Sequence, residues 1–128
     1  MQFSFSLQMK FLTDIYSELL SDELKKASHE FMEWQRRLKE NAKEGEHVHD
    51  WLIGYSASAK CLAEKYEAFR ADVKEEECLE GYIITFDGLV LPILTKVTQA
   101  IERFIHDGQK DAETEKLLAR FVFENDEA

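Results

Sequence analysis

Apolar residues recur along this chain at helical spacing. Leu52, Tyr55, Ala59, Leu62, Tyr66, Phe69 and Val73 alternate steps of three and four, with Lys60, Glu64, Lys65, Glu67 and Arg70 between them. One apolar stripe and one charged face predict a helix over 48–73. A second stripe, Leu20, Leu24, Ala27, Phe31, Trp34 and Leu38, predicts a helix with Ser21 or Asp22 as N-cap and a stop at Gly45. Joined near Gly45, the two make an antiparallel hairpin. Leu94, Val97, Ile101 and Phe104 carry a further stripe to a stop at Asp107-Gly108. A last short helix follows, in which Asp111 caps Leu117, Leu118, Phe121 and Val122.

Two segments carry conflicting periods. Phe3, Phe5, Leu7, Met9 and Phe11 alternate with polar residues as a strand would, while Phe5, Met9, Leu12, Tyr16 and Leu19 make a helical stripe. Residues 82–86 and 89–94 are β-prone runs around Asp87-Gly88, a hairpin signature. Against the hairpin, Leu79, Ile83, Phe86, Val90, Ile93, Val97, Ile101 and Phe104 keep one three/four phase through the turn, and Pro92 cannot donate to a ladder. A helix from about Glu76 to His106, kinked near Gly88 and Pro92, keeps that phase. The leading expectation is an all-α fold, a small antiparallel bundle of four to five helices. The alternative is α+β, with a minor antiparallel sheet from residues 3–11, 82–86 and 89–94.

Composition narrows the setting. The 128 residues, 45% of them hydrophobic, suffice for one domain spanning 1–128, and a single Pro and five Gly leave little for a linker. Cys61 and Cys78 lack zinc-site spacing and are expected as reduced, buried thiols. Met1 to Leu12 lacks the features of a signal peptide, and no stretch reads as a membrane span of about 18 apolar residues. A cytoplasmic protein without membrane contact is expected.

Candidate chemistry is sparse. Glu-x-x-His occurs twice, Glu44 to His47 and Glu46 to His49, but within one short segment containing Gly45; di-metal bundles need the pattern on two helices. His29 and His106 stand apart from that segment. Ser56 and Ser58 lack a nucleophile-elbow setting, and the glycines form no phosphate loop. Arg36, Arg37, Lys39 and Lys43 alternate with Glu33, Glu40 and Glu44, the pattern of i,i+4 ion pairs rather than a phosphate-binding stripe. The expectation is no enzyme, no cofactor, no metal and no nucleic acid.

Charge is what remains: 26 Asp+Glu against 16 Lys+Arg, a net charge of -10. Asp72, Glu75, Glu76, Glu77 and Glu80 cluster around Lys74, beside Tyr82, as a candidate anionic patch for a basic protein. Glu113, Glu115, Glu124, Asp126 and Glu127 would enlarge that field. Trp34 and Trp51, expected near opposite ends of the helical hairpin, are candidate core residues, or anchors if exposed. The leading functional expectation is an acidic inhibitor of the immunity-protein or antitoxin type, covering the cationic cleft of a partner such as a nuclease toxin. Second comes a non-catalytic adaptor or structural bundle, conceivably homodimeric through Leu89 to Leu94 or the N-terminus. Third is a metal carrier using Glu44, Glu46, His47, His49 and Asp50.

Overall fold

Both segments with conflicting periods are helical in the computed structural model, which describes residues 4–41, 48–73, 77–107 and 112–124. Near the N-terminus, α1 spans Phe5–Ile15 and buries Phe5, Met9 and Leu12, the helical stripe rather than the alternating one. Ser4 caps it, its Oγ accepting the Leu7 N–H at 3.2 Å. Next come α2, Asp22–Asn41, and α3, Val48–Asp72. Ser21 is the N-cap of α2, accepting from the Leu24 N–H at 3.2 Å. After a 3₁₀ turn over Glu77–Leu79, α4 (Glu80–Thr85) runs through a π-turn, Phe86–Val90, into α5, Leu91–Asp107. Finally α6, Ala112–Leu117, continues into a second π-turn, Leu118–Val122. The described residues contain no strand, so the fold is an all-α bundle and the expected minor sheet does not form.

Asp87-Gly88 therefore sits inside a helix instead of reversing the chain. Proline has no N–H, and its ring crowds the carbonyl four residues back, here that of Gly88. The π-turn widens the helix at that point: the Leu91 N–H bonds to the Phe86 carbonyl, five residues back. Neighbouring side chains secure the bulge. Tyr66 of α3 stacks on Phe86 at 3.8 Å and donates its hydroxyl to Asp87 Oδ1 at 2.8 Å. Arg70 reaches Asp87 Oδ2 at 2.9 Å.

The expectation that no stretch reads as a membrane span meets one exception by length and composition: the continuous helix Glu80–His106, of mean hydropathy 1.3 over its most apolar window. Within the bundle its inner stripe is core, with Tyr82, Phe86, Val90, Ile93, Leu94, Val97, Ile101 and Phe104 all buried. Val90, Ile93 and Leu94 thus leave only the half-buried Leu89 and Leu91 and the exposed Pro92 of the expected 89–94 interface at the surface.

Helix α3 lies between α2 and α4–α5, antiparallel to both. Phe31 meets Tyr55 at 5.1 Å across α2 and α3, and Phe69 meets Tyr82 at 6.3 Å across α3 and α4. Trp34 and Trp51, far from marking opposite ends of the hairpin, touch edge to face at 5.8 Å near its turn, and both are half-buried against the core. Gly54 makes that contact possible: a Cβ there would overlap the Trp34 indole.

The C-terminal π-turn closes the bundle against α1, α2 and α5. Phe121 packs edge to face on Phe5 at 6.3 Å, and the Gln35 amide of α2 donates to the carbonyls of Phe121 and Val122. Just beyond, Glu124 adopts φ 47 and turns a buried carboxylate back into the bundle. It accepts from the Ser6 N–H at 2.6 Å, the Ser6 hydroxyl at 2.7 Å and Lys39 Nζ at 2.8 Å. A carboxylate in the first turn of α1 complements the helix dipole as well as an unpaired amide.

Two stability outcomes follow. Gly54→Ala should lower the denaturation midpoint, because overlap with a packed indole costs about 1–3 kcal/mol and exceeds the roughly 1 kcal/mol gain in helix propensity. The same substitution in a Trp34→Leu background should cost less, as chemical denaturation would read. Glu124→Ala should destabilise by about 2–3 kcal/mol, since it strips two donors on Ser6 and the half-exposed Lys39 of a charged acceptor. Unchanged melting of that variant would show that the C-terminal closure adds nothing to stability.

Candidate functional site

Chain direction gathers acidic residues at one end of the bundle. Helix α1 finishes at Ile15 and α2 begins at Asp22; α3, antiparallel to α2, finishes beside them at Asp72, and α4 starts there at Glu80. Tyr16 joins these termini, its ring 5.5 Å from Tyr82 and its hydroxyl over Gly81. The exposed carboxylates at this pole are Asp14, Glu18, Glu23, Asp72 and Glu80, and none has an ion-pair partner among the described residues. Nearby cations are partly committed: Lys25 to Asp22 at 3.4 Å, and Arg70 to Asp87. Lys26 remains.

Several charges away from the pole are paired. Arg36 binds Glu33 and, at 2.8 Å, Glu40, and Arg37 binds Glu33 at 3.1 Å, as the i,i+4 pattern predicts. The Arg36 guanidinium, with help from Arg37, holds the Glu33 carboxyl below its ordinary value. Lys60 does the same to Glu102 across α3 and α5.

Exposed apolar residues share the acidic end. Ile15 is 74% exposed, Leu19 44%, and Ile84, one turn beyond Gly81, 63%. Such residues inside a charged rim are the usual composition of a protein contact surface. Leu19 was expected on the buried stripe of α1. The helix ends at Ile15, so Leu19 falls in the turn beyond it and leaves the stripe that a longer helix would have continued.

The sequence-predicted patch divides. Asp72 and Glu80 stand exposed at the pole. Glu75 and Glu76 lie outside the described residues, as does the side chain of Glu77, whose backbone opens the 3₁₀ turn. Tyr82 is corrected: at 1% exposure, between Tyr16, Tyr66, Phe69 and Phe86, it is core and offers no contact surface. Its place four residues before Phe86 on the inner stripe of α4 decides this. Of the second cluster, Glu113 and Glu115 are exposed on α6, Glu124 is buried and paired with Lys39, and Asp126 and Glu127 lie outside the described residues.

Glu44, Glu46 and His47 also fall outside the described residues, and His49 packs its ring on Phe104 at 4.9 Å. His29 and His106 are exposed on separate helices. Among the described residues no three His, Cys, Asp or Glu side chains converge as metal ligands. Neither cysteine is buried as expected; Cys61 is half-buried and Cys78 exposed. Comparison of the chain with protein-family models, with curated proteins and with solved structures gives no significant match.

Behind the pole lies an aromatic core with costly hydroxyls. Burial pushes the phenols of Tyr55, Tyr66 and Tyr82 well above their ordinary value of 10.0; Tyr66 is raised further by its bond to Asp87, and Tyr55 by the negative charge of Glu124. A phenol raised on folding leaves stability unaffected below the unfolded value and removes it progressively as pH rises above it. The bundle should therefore lose stability from about pH 10 upward. Phenolate absorbance from these three tyrosines should appear together with the loss of helical circular dichroism. Their ionisation within a fully helical protein would contradict the burial.

Proposed function

We propose that this chain is a non-catalytic acidic inhibitor of the immunity-protein or antitoxin type, acting in the cytoplasm on a basic partner such as a nuclease toxin. The observation that carries the reading is the coincidence, at one end of the bundle, of unpaired carboxylates with exposed isoleucines. An enzyme that cleaves RNA or DNA presents a cationic groove for phosphates. Asp14, Glu18, Asp72 and Glu80 offer that groove fixed negative charges without a flexible backbone, and long-range attraction from a chain of net charge -10 speeds encounter. Charge alone gives weak and indiscriminate contact. Ile15 and Ile84 supply the desolvated centre that slows dissociation.

The test asks whether a gene adjoining this chain's own encodes a basic nuclease, and then assays the two purified proteins together. The purified chain should suppress the nuclease's activity stoichiometrically, and affinity should fall as salt rises. Reversing Asp72 and Glu80 to Lys should weaken binding about tenfold or more and flatten the salt dependence, with helical content unchanged. Ile84→Ser should raise the dissociation rate instead. Full inhibition by the doubly reversed variant would refute the acidic pole as the contact surface.

A further inference from the structure

Helix α1 leans on the bundle more than it builds it. Across α2, α3 and α4 into the π-turn the core is continuous, with Phe31 on Tyr55, Phe69 on Tyr82 and Tyr66 on Phe86. Over its eleven residues α1 buries only Phe5, Met9, Leu12 and Thr13, whereas α3 buries Leu52, Tyr55, Ala59, Leu62, Tyr66 and Phe69. The opening turn of α1 is covered by the other end of the described chain, and each covers the other. Phe5 lies edge to face with Phe121, and the Ser6 amide and hydroxyl both donate to Glu124. Neither surface stays enclosed once its partner leaves.

We propose that α1 and the C-terminal π-turn form a two-ended strap that opens as one unit while α2, α3, α4 and α5 stay folded, with Glu124 as its clasp. Three observations place the weak seam there. The first is backbone strain. Among the described residues Glu124 alone, glycine aside, has a positive φ, and a residue with a Cβ relaxes from φ 47 once its carboxylate lets go. The second is unmatched polarity beneath the strap. The Gln35 amide donates to the Phe121 and Val122 carbonyls, but its Oε1 is buried without a hydrogen-bond partner among the described residues. So is the hydroxyl of Tyr55, which the negative charge of Glu124 also reaches. A buried polar atom left unmatched is costly, and that cost disappears when opening admits water. The third is length. An eleven-residue helix is marginal by itself, so α1 unfolds along its whole span when its opening turn is released.

The clasp governs the acidic pole from the opposite end of α1, a helix length of about 16 Å away. Asp14 and Ile15 lie in the last turn of α1, and Glu18 and Leu19 follow in a turn closed by the Leu19 and Leu20 amides on the Tyr16 carbonyl, at 2.9 and 3.2 Å. Tyr16 holds this end to α4 through Tyr82 and Gly81. Release at Glu124 therefore withdraws Asp14, Ile15 and Glu18 from the pole and leaves Asp72 and Glu80 in place on α3 and α4. The pole is complete only while the strap is closed. Opening is a property of the free chain and does not rest on the inhibitor reading; it decides when the surface is assembled, whatever binds it.

Native-state hydrogen exchange of the full chain, read amide by amide by NMR across low denaturant, tests the proposal. In the wild type the amides of α1, of Leu19 and Leu20, and of the C-terminal π-turn should exchange through one common opening. That opening should be more frequent than the one that exposes the slowest amides of α3, and less dependent on denaturant. Glu124→Ala should speed exchange throughout the strap by about thirtyfold or more. Ser6→Ala, which removes a single hydroxyl bond to Glu124, should speed the same amides severalfold, and it serves if Glu124→Ala does not fold. Tyr66→Phe gives the opposite test, because it deletes a bond to Asp87 that opening of the strap leaves intact. It should speed the slowest α3 amides by about tenfold and leave those of the strap unchanged. Equal acceleration of both sets by Tyr66→Phe, or a single opening for all amides in the wild type, would overturn the proposal by showing that the bundle opens only as a whole. Acceleration of α1 by Ser6→Ala without the π-turn would overturn it too, since the two ends would then be independent.

Discussion

One missing amide hydrogen organises much of this bundle. Pro92 cannot donate to the carbonyl of Gly88, and the chain answers by widening its helix over Phe86–Val90 instead of reversing direction. Had it reversed at Asp87-Gly88, the residues from Leu89 onward would have run back along α4, and α3 would have lost the long apolar stripe against which it packs. Because the helix continues, Tyr66 can stack on Phe86, and Asp87 can accept from both Tyr66 and Arg70. The same geometry turns Ile84, Gly88 and Pro92 outward as one neutral face.

Electrostatics in this molecule are decided by topology more than by local sequence. Along α2 the charges alternate and neutralise each other within a turn or two, and such exposed pairs contribute little stability. The unpaired carboxylates at this pole come from the ends of α1 and α3 and the starts of α2 and α4, segments far apart in the chain that the antiparallel arrangement brings together. An acidic composition spread evenly over the surface would attract every cation weakly. The carboxylates at this pole differ from the others in being set around exposed isoleucines.

Much of the architecture was legible from residue spacing. The stripes of α2, α3 and α5 appear in the sequence with nearly their observed boundaries, and Ser21 acts as the predicted cap. The period-two run of α1 misleads because alternation alone says nothing about a pairing strand, and a strand edge without a partner cannot satisfy its backbone. The candidate site was half legible. Asp72 and Glu80 were visible as local acidity, whereas Asp14, Glu18 and Ile15 join them only through the return of α3 past the start of α2. Tyr82 neighbours acidic residues in sequence, yet its position on the inner stripe places it among Tyr66, Phe69 and Phe86. The buried role of Glu124 gave no signal at all, since its partners Ser6 and Lys39 lie 118 and 85 residues away.

That last distance bears on how the chain is made. Helix α1 leaves the ribosome 118 residues ahead of the carboxylate that completes its opening turn. An 11-residue helix is marginal by itself in water, and Phe5 needs both Phe31 and Phe121 to be enclosed. During translation the N-terminal segment must therefore wait, its phenylalanines uncovered, while α2, α3 and α5 assemble. A helix made ahead of its partners is thus completed only after them.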